Sequence, residues 1–344
     1  MTFQELIAKI GKGQKGAKDL TAEEAEFAIT GLLEEKASPY QVGAFLISLR
    51  IKEETPEELA VFTRACKRSL HPLIQSFQVR AGETLDLPFY AGKRTSFHVG
   101  LPASLVMAGA GLNVVLHGDP NPPLRISKSM VLAYLGWRQA LSLKERLEFF
   151  TETGWTYLDI AQIHPGIKRF LDLRNEIGLR SIFHTIARLL NPLEASSQII
   201  GISHPKSYEK IAEAVRALGV SNALVVRGLE GESEENLSGP VEGIIVNPGS
   251  HSKTHLEPSP LGLTPIRRSE IEMKDPEAEA RITEEILEGK GGKDRTALTL
   301  WNASIGLFIS GKAKTLQEAY VRSKKSLESG EALQILKAIK KTFY

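Results

Sequence analysis

The sequence predicts an α/β protein that begins with a helical bundle and continues as a mainly parallel sheet covered by helices. Two observations lead to this prediction. Residues 1–75 carry apolar side chains at three- and four-residue spacing, as amphipathic helices do. From residue 84 onward, short apolar runs alternate with helical patterns, which is typical of a parallel sheet with helices on its faces.

The first 75 residues contain four predicted helices joined by short turns. Thr21 followed by Glu24 is a capping box, and Ser38-Pro39 and Thr55-Pro56 each place a cap before a first-turn proline. Short helices with tight connections predict an antiparallel bundle. The predicted helices are Phe3–Ile10, Thr21–Lys36, Pro39–Ile51 and Pro56–Leu70.

The α/β part starts with two strand-loop-helix units. Strands Thr84–Tyr90 and Leu112–Leu116 are followed by helices at Leu105–Gly111 and Ser127–Leu135. Two helices are predicted within residues 164–192, and residues 230–265 are predicted as strand and turn. The remaining predicted elements are strand Ile199–Ser203, helix Ser207–Leu218, strand Ala223–Arg227, and helices Pro276–Glu288, Asp294–Ile309, Thr315–Ser329 and Gly330–Thr342.

Composition narrows the class of protein. The 344 residues carry a net charge of +2, so any polyanion site must come from local clustering of charge. The single cysteine, Cys66, excludes an intramolecular disulfide framework and a cysteine-based metal cluster. Residues 1–10 lack the apolar core of a secretory signal, and no run approaches the ~20 apolar residues of a membrane span. We therefore expect a cytoplasmic protein without membrane contacts.

Two loops are predicted at the carboxyl ends of neighbouring strands, where helix N-termini favour anions. They contain Gly92-Lys93-Arg94 and His117-Gly118-Asp119. A glycine with two basic neighbours is a weak signal, so these loops alone favour ordinary turn glycines and solvated cations.

Two segments concentrate basic residues. Lys9, Lys12, Lys15 and Lys18 alternate with glycines in a predicted exposed loop. Arg180, His184 and Arg188 are four residues apart and are predicted to share a helix face, with no carboxylate between Glu176 and Glu194. Such segments are usually solvated surfaces, but like charges without local partners also suit a polyanion.

The motifs, taken in order, resemble the anthranilate phosphoribosyltransferase family, also called glycosyltransferase family 3. They are LVMAGAGLNVVLHG, HPGIKRFLDLRNEIGLRSIFHTIARLLNP, ALVVRGLEGESEE and NASIGLFISGKAKTLQEAY, and they span nearly the whole chain. The resemblance implies a small all-helical dimerisation domain formed by residues 1–75 and 164–192. It implies a larger α/β domain formed by residues 80–163 and 193–344.

Family enzymes displace pyrophosphate from magnesium-bound phosphoribosyl pyrophosphate, and this chain departs from them at the donor site. The family's glycine-rich loop falls on Leu87–Gly92 and keeps only Gly92, while its NIST segment falls on about His98–Leu101. In the family's KHGN motif, His117 and Gly118 remain but Leu116 and Asp119 replace the lysine and the asparagine. Pro123 and Leu124 replace paired serines, which removes further phosphate donors.

At the metal and acceptor positions, this chain keeps some of the family's residues and replaces others. The two carboxylates that hold magnesium in the family fall on Ser233 and Glu234, so one of the two is missing and we expect no cofactor. If the protein is an active transferase, Glu234 is the expected magnesium ligand. Glu230, Glu232 and Glu235 are alternative carboxylates. His164 and Arg174 keep the family's acceptor-side residues, whereas His184 and Ala187-Arg188 replace an asparagine and a Gly-Pro pair.

This pattern resembles a divergent branch of the family that is not tied to tryptophan biosynthesis. That resemblance implies a homodimer and binding of DNA or RNA. The two basic segments predict that binding involves Lys9, Lys12, Lys15, Lys18, Arg180, His184 and Arg188, with little sequence preference because no base-reading motif is present. The alternative is an active glycosyl- or phosphoribosyltransferase acting on an unidentified aromatic amine or base, so the sequence leaves the enzymatic status open. A purely structural dimer is a third interpretation, which the unpaired basic residues disfavour.

Overall fold

The computed structural model describes residues 1–13, 15–79 and 83–343. The chain begins with a helical bundle whose helices are fixed by their first turns. Thr2, Thr21, Ser38 and Thr55 each accept a hydrogen bond from the third helical N–H, and the Glu or Gln side chain at that position accepts one from the backbone N–H of the cap residue. The helices are α1 (Phe3–Ile10), α2 (Ala22–Leu33), α3 (Pro39–Lys52), α4 (Pro56–Lys67) and α5 (Pro72–Ser76).

A seven-stranded sheet forms the centre of the molecule, in the order β3-β2-β1-β4-β5-β6-β7. The first five strands along the chain pair in parallel, and the last two pair antiparallel. The predicted fold class is therefore confirmed. The strands are β1 (Thr84–Phe89), β2 (Asn113–Gly118), β3 (Trp155–Asp159), β4 (Ser197–Gly201), β5 (Asn222–Val226), β6 (Val241–Asn247) and β7 (Ser250–Leu256).

Twelve further helices are described after β1. They are α6 (Gly100–Gly109), α7 (Lys128–Tyr134), α8 (Leu143–Thr153), α9 (Ile160–Ile163), α10 (Pro165–Asp172), α11 (Arg174–Ile177), α12 (Phe183–Leu189), α13 (Tyr208–Ala217), α14 (Pro276–Leu287), α15 (Lys293–Ile309), α16 (Leu316–Glu328) and α17 (Glu331–Phe343). Helix α8 and strand β3 were not predicted. Residues 164–192 form three short helices instead of the two predicted.

The core divides along the two faces of the sheet. On β2, Val114 and Leu116 belong to one buried cluster together with α6 and the C-terminal helices, while Val115 between them belongs to the other. That second cluster also contains the buried residues of α1 to α4 and of α10 and α12. The helical bundle therefore packs on one face of the sheet, and α12 is held close to the strands that carry the site. No helix within the described residues is both long enough and apolar enough to cross a membrane.

Candidate functional site

The loop that follows β1, residues 90–99, wraps around a carboxylate. We call it the β1 loop, and we call residues 228–235 the acidic loop. The Glu230 carboxylate of the acidic loop accepts hydrogen bonds from the backbone N–H groups of Arg94, Thr95 and Ser96, at 2.9, 3.0 and 3.0 Å. Burial alone would raise the pKa of Glu230, but these hydrogen bonds outweigh it and lower that pKa to about 2. The carboxylate is therefore ionised and firmly held.

A second carboxylate neutralises the lysines of the site. Glu234 forms ion pairs with Lys93 and Lys128, and all three side chains are buried. Lys93 also donates to the Phe97 carbonyl oxygen at 2.7 Å, and the Lys128 ammonium lies 3.5 Å from the centre of the Phe89 ring. The expectation that Lys93 is solvated is therefore wrong, because both ammonium groups are already paired inside the protein.

Gly92 has the turn conformation that the sequence predicts. Its φ is +63°, which favours glycine, and its N–H donates to Glu232 at 2.6 Å. Arg94, by contrast with Lys93, is exposed, and its side chain donates to the Leu124 carbonyl oxygen at 3.1 Å.

The residues at the family's magnesium positions do not fit the ion. Glu234 is held by two lysines, and the Ser233 hydroxyl donates to the Pro88 carbonyl oxygen at 3.0 Å. Glu235 cannot replace them, because burial and the nearby Glu234 charge raise its pKa well above the usual value. Within the described residues, no group of three or more acidic, histidine or cysteine side chains is arranged to hold a metal.

His117 is part of a buried hydrogen-bonded chain. Its Nε2 lies 3.1 Å from Asp86 and its Nδ1 lies 2.7 Å from the Tyr90 hydroxyl. Gly118 is the last residue of β2, and Asp119, which follows the strand, forms a 3.5 Å ion pair with Lys168 of α10. This pair links the end of β2 to α10, so neither His117 nor Asp119 is an unpartnered phosphate ligand.

A pocket of about 810 Å³ lies beside this region, between α3, α12 and the segment after β4. Arg174, Arg180 and Arg188 line it, and all three are half-buried. No described carboxylate lies within ion-pair distance of any of the three guanidinium groups. We call these three residues the arginine pocket.

The arginines act on each other and on His184, which also lines the pocket. Burial, followed by the charges of Arg188 and Arg174, lowers the pKa of Arg180 to about 10. Burial and the three arginines lower the pKa of His184 to about 3, so its ring is neutral near pH 7. His184 therefore adds no positive charge to the basic set. Arg180 precedes α12, so the predicted shared helix face is wrong, although the pocket still brings Arg180 and Arg188 together.

Of the two predicted acceptor-side residues, only Arg174 lines the pocket. His164 is buried at the start of α10, where its Nδ1 accepts from the Ile167 N–H at 3.1 Å. Its Nε2 lies 3.0 Å from the Ser69 hydroxyl, and burial lowers its pKa to about 4. The structure thus gives His164 a capping role.

The lysine loop, residues 11–20, begins where α1 ends. Lys12, Lys15 and Lys18 are exposed and form no ion pair with a described residue, whereas Lys9 lies 2.5 Å from Glu24. The expectation that Lys9 is unpaired is therefore wrong. The last turn of α3 connects the loop to the pocket: Lys52 binds Asp19 at 2.5 Å, and Arg50 donates to the Arg180 carbonyl oxygen at 2.9 Å.

Sequence reasoning missed the partners that neutralise the lysines of this region. The sequence does not indicate a site role for Lys128, and it indicates Glu230 and Glu232 only as alternative magnesium ligands. The charge pattern LEGESEE was visible, but nothing in the sequence indicates that its carboxylates reach residues about 135 positions earlier.

Comparison with known proteins shows which family this chain resembles over most of its length. The profile described as the glycosyl transferase family α/β domain matches residues 92–333, and the helical bundle domain of the same family matches residues 4–70. The anthranilate phosphoribosyltransferase of Desulfitobacterium hafniense is 31% identical over 94% of this chain and 95% of its own. That of Symbiobacterium thermophilum is 32% identical over 98% of this chain and 97% of its own.

Two solved structures have the same fold. The anthranilate phosphoribosyltransferase from Thermus thermophilus superimposes with a TM-score of 0.86 at 25% identity, covering 99% of this chain and 98% of its own. The enzyme from Saccharomyces cerevisiae in complex with PRPP and Mg gives a TM-score of 0.83 at 21% identity, covering 99% and 98%.

Proposed function

The chain belongs to the anthranilate phosphoribosyltransferase family, and we propose that this member uses the family scaffold to bind nucleic acid and does not transfer phosphoribose. The observation that carries the proposal is the distribution of paired and unpaired cations. At the β1 loop, Lys93 and Lys128 are neutralised by Glu234. In the arginine pocket, no described carboxylate lies within ion-pair distance of the three guanidinium groups, and only the more distant charge of Glu232 acts on Arg180 and Arg188.

The closed donor side opposes phosphoribosyl transfer. Transfer requires cations and donors that stabilise charge developing on the departing pyrophosphate. The β1 loop donates its N–H groups to Glu230, and its lysine is paired. A donor substrate would have to displace two carboxylates before it could bind. We therefore expect no measurable turnover with anthranilate.

The free cations favour a polyanion over a single small carboxylate. One carboxylate carries one charge, whereas the pocket has three arginines and the lysine loop adds three exposed lysines. Both sets are attached to the end of α3, so one phosphate backbone could contact both. The described residues that line the arginine pocket include no aromatic side chain on which a base could stack, so we expect contacts to phosphates and weak sequence preference.

A second candidate function is phosphoribosyl transfer to an aromatic amine or base. The comparisons by themselves favour it, since the relatives are named anthranilate phosphoribosyltransferase and one structural neighbour is a complex with PRPP and Mg. Arg174 in the pocket could orient an acceptor carboxylate. This candidate requires the acidic loop to leave the β1 loop when the donor binds.

Two assays on the same preparation separate the candidates. Fluorescence anisotropy with labelled single-stranded and duplex oligonucleotides measures binding, and loss of anthranilate fluorescence with PRPP and magnesium measures transfer. We expect salt-sensitive binding, weakened by Arg180→Gln and Arg188→Gln, and no turnover. Turnover comparable with that of the relatives, without nucleic-acid binding, would establish the transferase instead.

We also propose that the protein is a cytoplasmic homodimer formed through its helical bundle. Phe27 of α2 and Tyr40 of α3 support this, because they expose 38% and 90% of their surface. Sedimentation equilibrium of the parent and of Tyr40→Glu tests the dimer, which the added charge should dissociate.

A further inference from the structure

The hydrogen-bond donors around Glu230 form a site for an oxyanion. Besides three backbone N–H groups, the Thr95 and Ser96 hydroxyls donate to Glu230 at 3.1 and 3.0 Å. The Arg125 guanidinium donates at 3.2 Å. Successive N–H groups that point into one concavity bind phosphate as well as carboxylate, because both present ionised oxygens.

The backbone at Glu230 shows that this arrangement has a conformational cost. Glu230 has φ 56° and ψ 21°, the left-handed conformation that residues other than glycine rarely adopt. Its side-chain hydrogen bonds hold it there. The neighbouring Glu232 carbonyl oxygen fits against Gly201 and Gly228, where an added Cβ would lie 1.9 and 1.7 Å from it. The acidic loop is therefore closely fitted to this position.

The site is open to solvent from one side. Arg94 and Thr95 are exposed, and 17% of the Glu230 side chain is accessible. An anion could therefore reach the β1 loop N–H groups if the Glu230 side chain were absent. The Lys93–Glu234–Lys128 cluster lies deeper and does not involve Glu230.

From these contacts we propose that Glu230 is a built-in anion that occupies a phosphate site and keeps phosphate groups out of it. Its carboxylate takes the donors that a phosphate or pyrophosphate would otherwise receive. The proposal does not depend on nucleic-acid binding, which we assign to the arginine pocket and the lysine loop.

The test is binding of inorganic pyrophosphate, measured by isothermal titration calorimetry. Glu230→Gly removes the carboxylate and suits the positive φ. Glu230→Asn also tolerates that conformation, and its shorter side chain withdraws from the N–H groups. In each variant we expect one additional pyrophosphate site, bound at least about tenfold more tightly than any such site in the parent, the gain of about one charge-assisted contact.

Two controls assign the gain to the β1 loop. Glu152→Gln removes one exposed negative charge from α8 and should add no site. Ser96→Ala in the Glu230→Gly background removes one donor and should weaken the new site. If the folded variants at Glu230 bind pyrophosphate no better than the parent, the proposal is wrong. Circular dichroism identifies which variants are folded, and either one decides the outcome.

Discussion

Replacing Lys12, Lys15 and Lys18 together by glutamine should halve the salt dependence of nucleic-acid binding. The three lysines and the arginine pocket provide six cations that form no ion pair with a described carboxylate. If each neutralises one phosphate of a duplex, the log–log slope of affinity against salt is about −5.4 for the parent and about −2.7 for the variant. Between about 50 mM and about 200 mM salt, affinity then falls about 1,800-fold for the parent and about 40-fold for the variant. On a single strand the corresponding slopes are about −4.2 and about −2.1.

The measurement is fluorescence anisotropy over a range of salt concentrations, with the same labelled duplex for every protein. The control replaces Lys314, Lys324 and Lys325, three exposed lysines near and on α16, by glutamine. It changes the net charge by the same amount far from the proposed surface. Its slope should equal that of the parent.

Equal slopes for the parent and the lysine-loop variant would refute the assignment of phosphate contacts to this loop. An equal reduction of the slope in the control variant would show that the salt dependence follows the net charge and not the position of the lysines. A parent slope near zero would refute the nucleic-acid proposal itself, because phosphate binding by lysine and arginine necessarily releases counterions.

Further predictions concern stability and ligands. Glu234→Gln should lower the free energy of unfolding by about 3–5 kcal/mol in urea, because Lys93 and Lys128 would remain buried without a carboxylate. In the folded protein the pKa of Glu234 is lowered to about 2, whereas in the unfolded chain it is near 4.5. The contribution of Glu234 to the free energy of unfolding is therefore fully present above pH 4.5 and is lost as the pH falls from 4.5 toward 2. Glu235→Gln should stabilise the protein increasingly above pH 4.5, by about 1.4 kcal/mol per pH unit until the raised folded pKa is reached. A pH-independent difference in urea unfolding would contradict this. Magnesium with phosphoribosyl pyrophosphate should not raise the melting temperature of the parent, and a magnesium-dependent rise would indicate a working donor site.

Local signals in the sequence predicted most of the fold. The caps at Thr21, Ser38 and Thr55 gave the starts of α2, α3 and α4 correctly, because a side-chain cap and its N3 partner are close in sequence. Helix α8 was missed although Ser142 and Glu145 form the same capping box and Gly154 ends the helix with φ 71°. A capping box and a C-cap glycine twelve residues apart are local signals that indicate this helix.

The candidate site could be predicted less well, since its chemistry depends on contacts between distant segments. Substitutions such as Leu116 for a lysine were visible, but the pairing of Lys93 with Glu234 spans 141 residues. Periodicity also placed Arg180 on a helix that begins only at Phe183. Lys9 was predicted to be unpaired together with the lysines of the loop. It lies in α1, and its partner Glu24 lies in α2. Sequence spacing identifies charged residues, but it does not show which charges neutralise each other.

The arginine pocket is costly to the folded protein, which supports a role in binding. Burial and mutual repulsion lower the pKa of Arg180 to about 10, so the folded state holds these charges less favourably than water does. The Glu232 charge relieves that cost only partly, because it lies beyond ion-pair distance, whereas Glu234 pairs directly with Lys93 and Lys128. Glu53 and Glu54 also line the pocket, yet Glu54 pairs with Lys210 at 2.9 Å and neither pairs with the arginines. A polyanion that entered the pocket would restore the lost interaction and stabilise the fold in proportion to its binding. The same binding would raise the pKa of Arg180, which links the cost in the free protein to affinity in the complex.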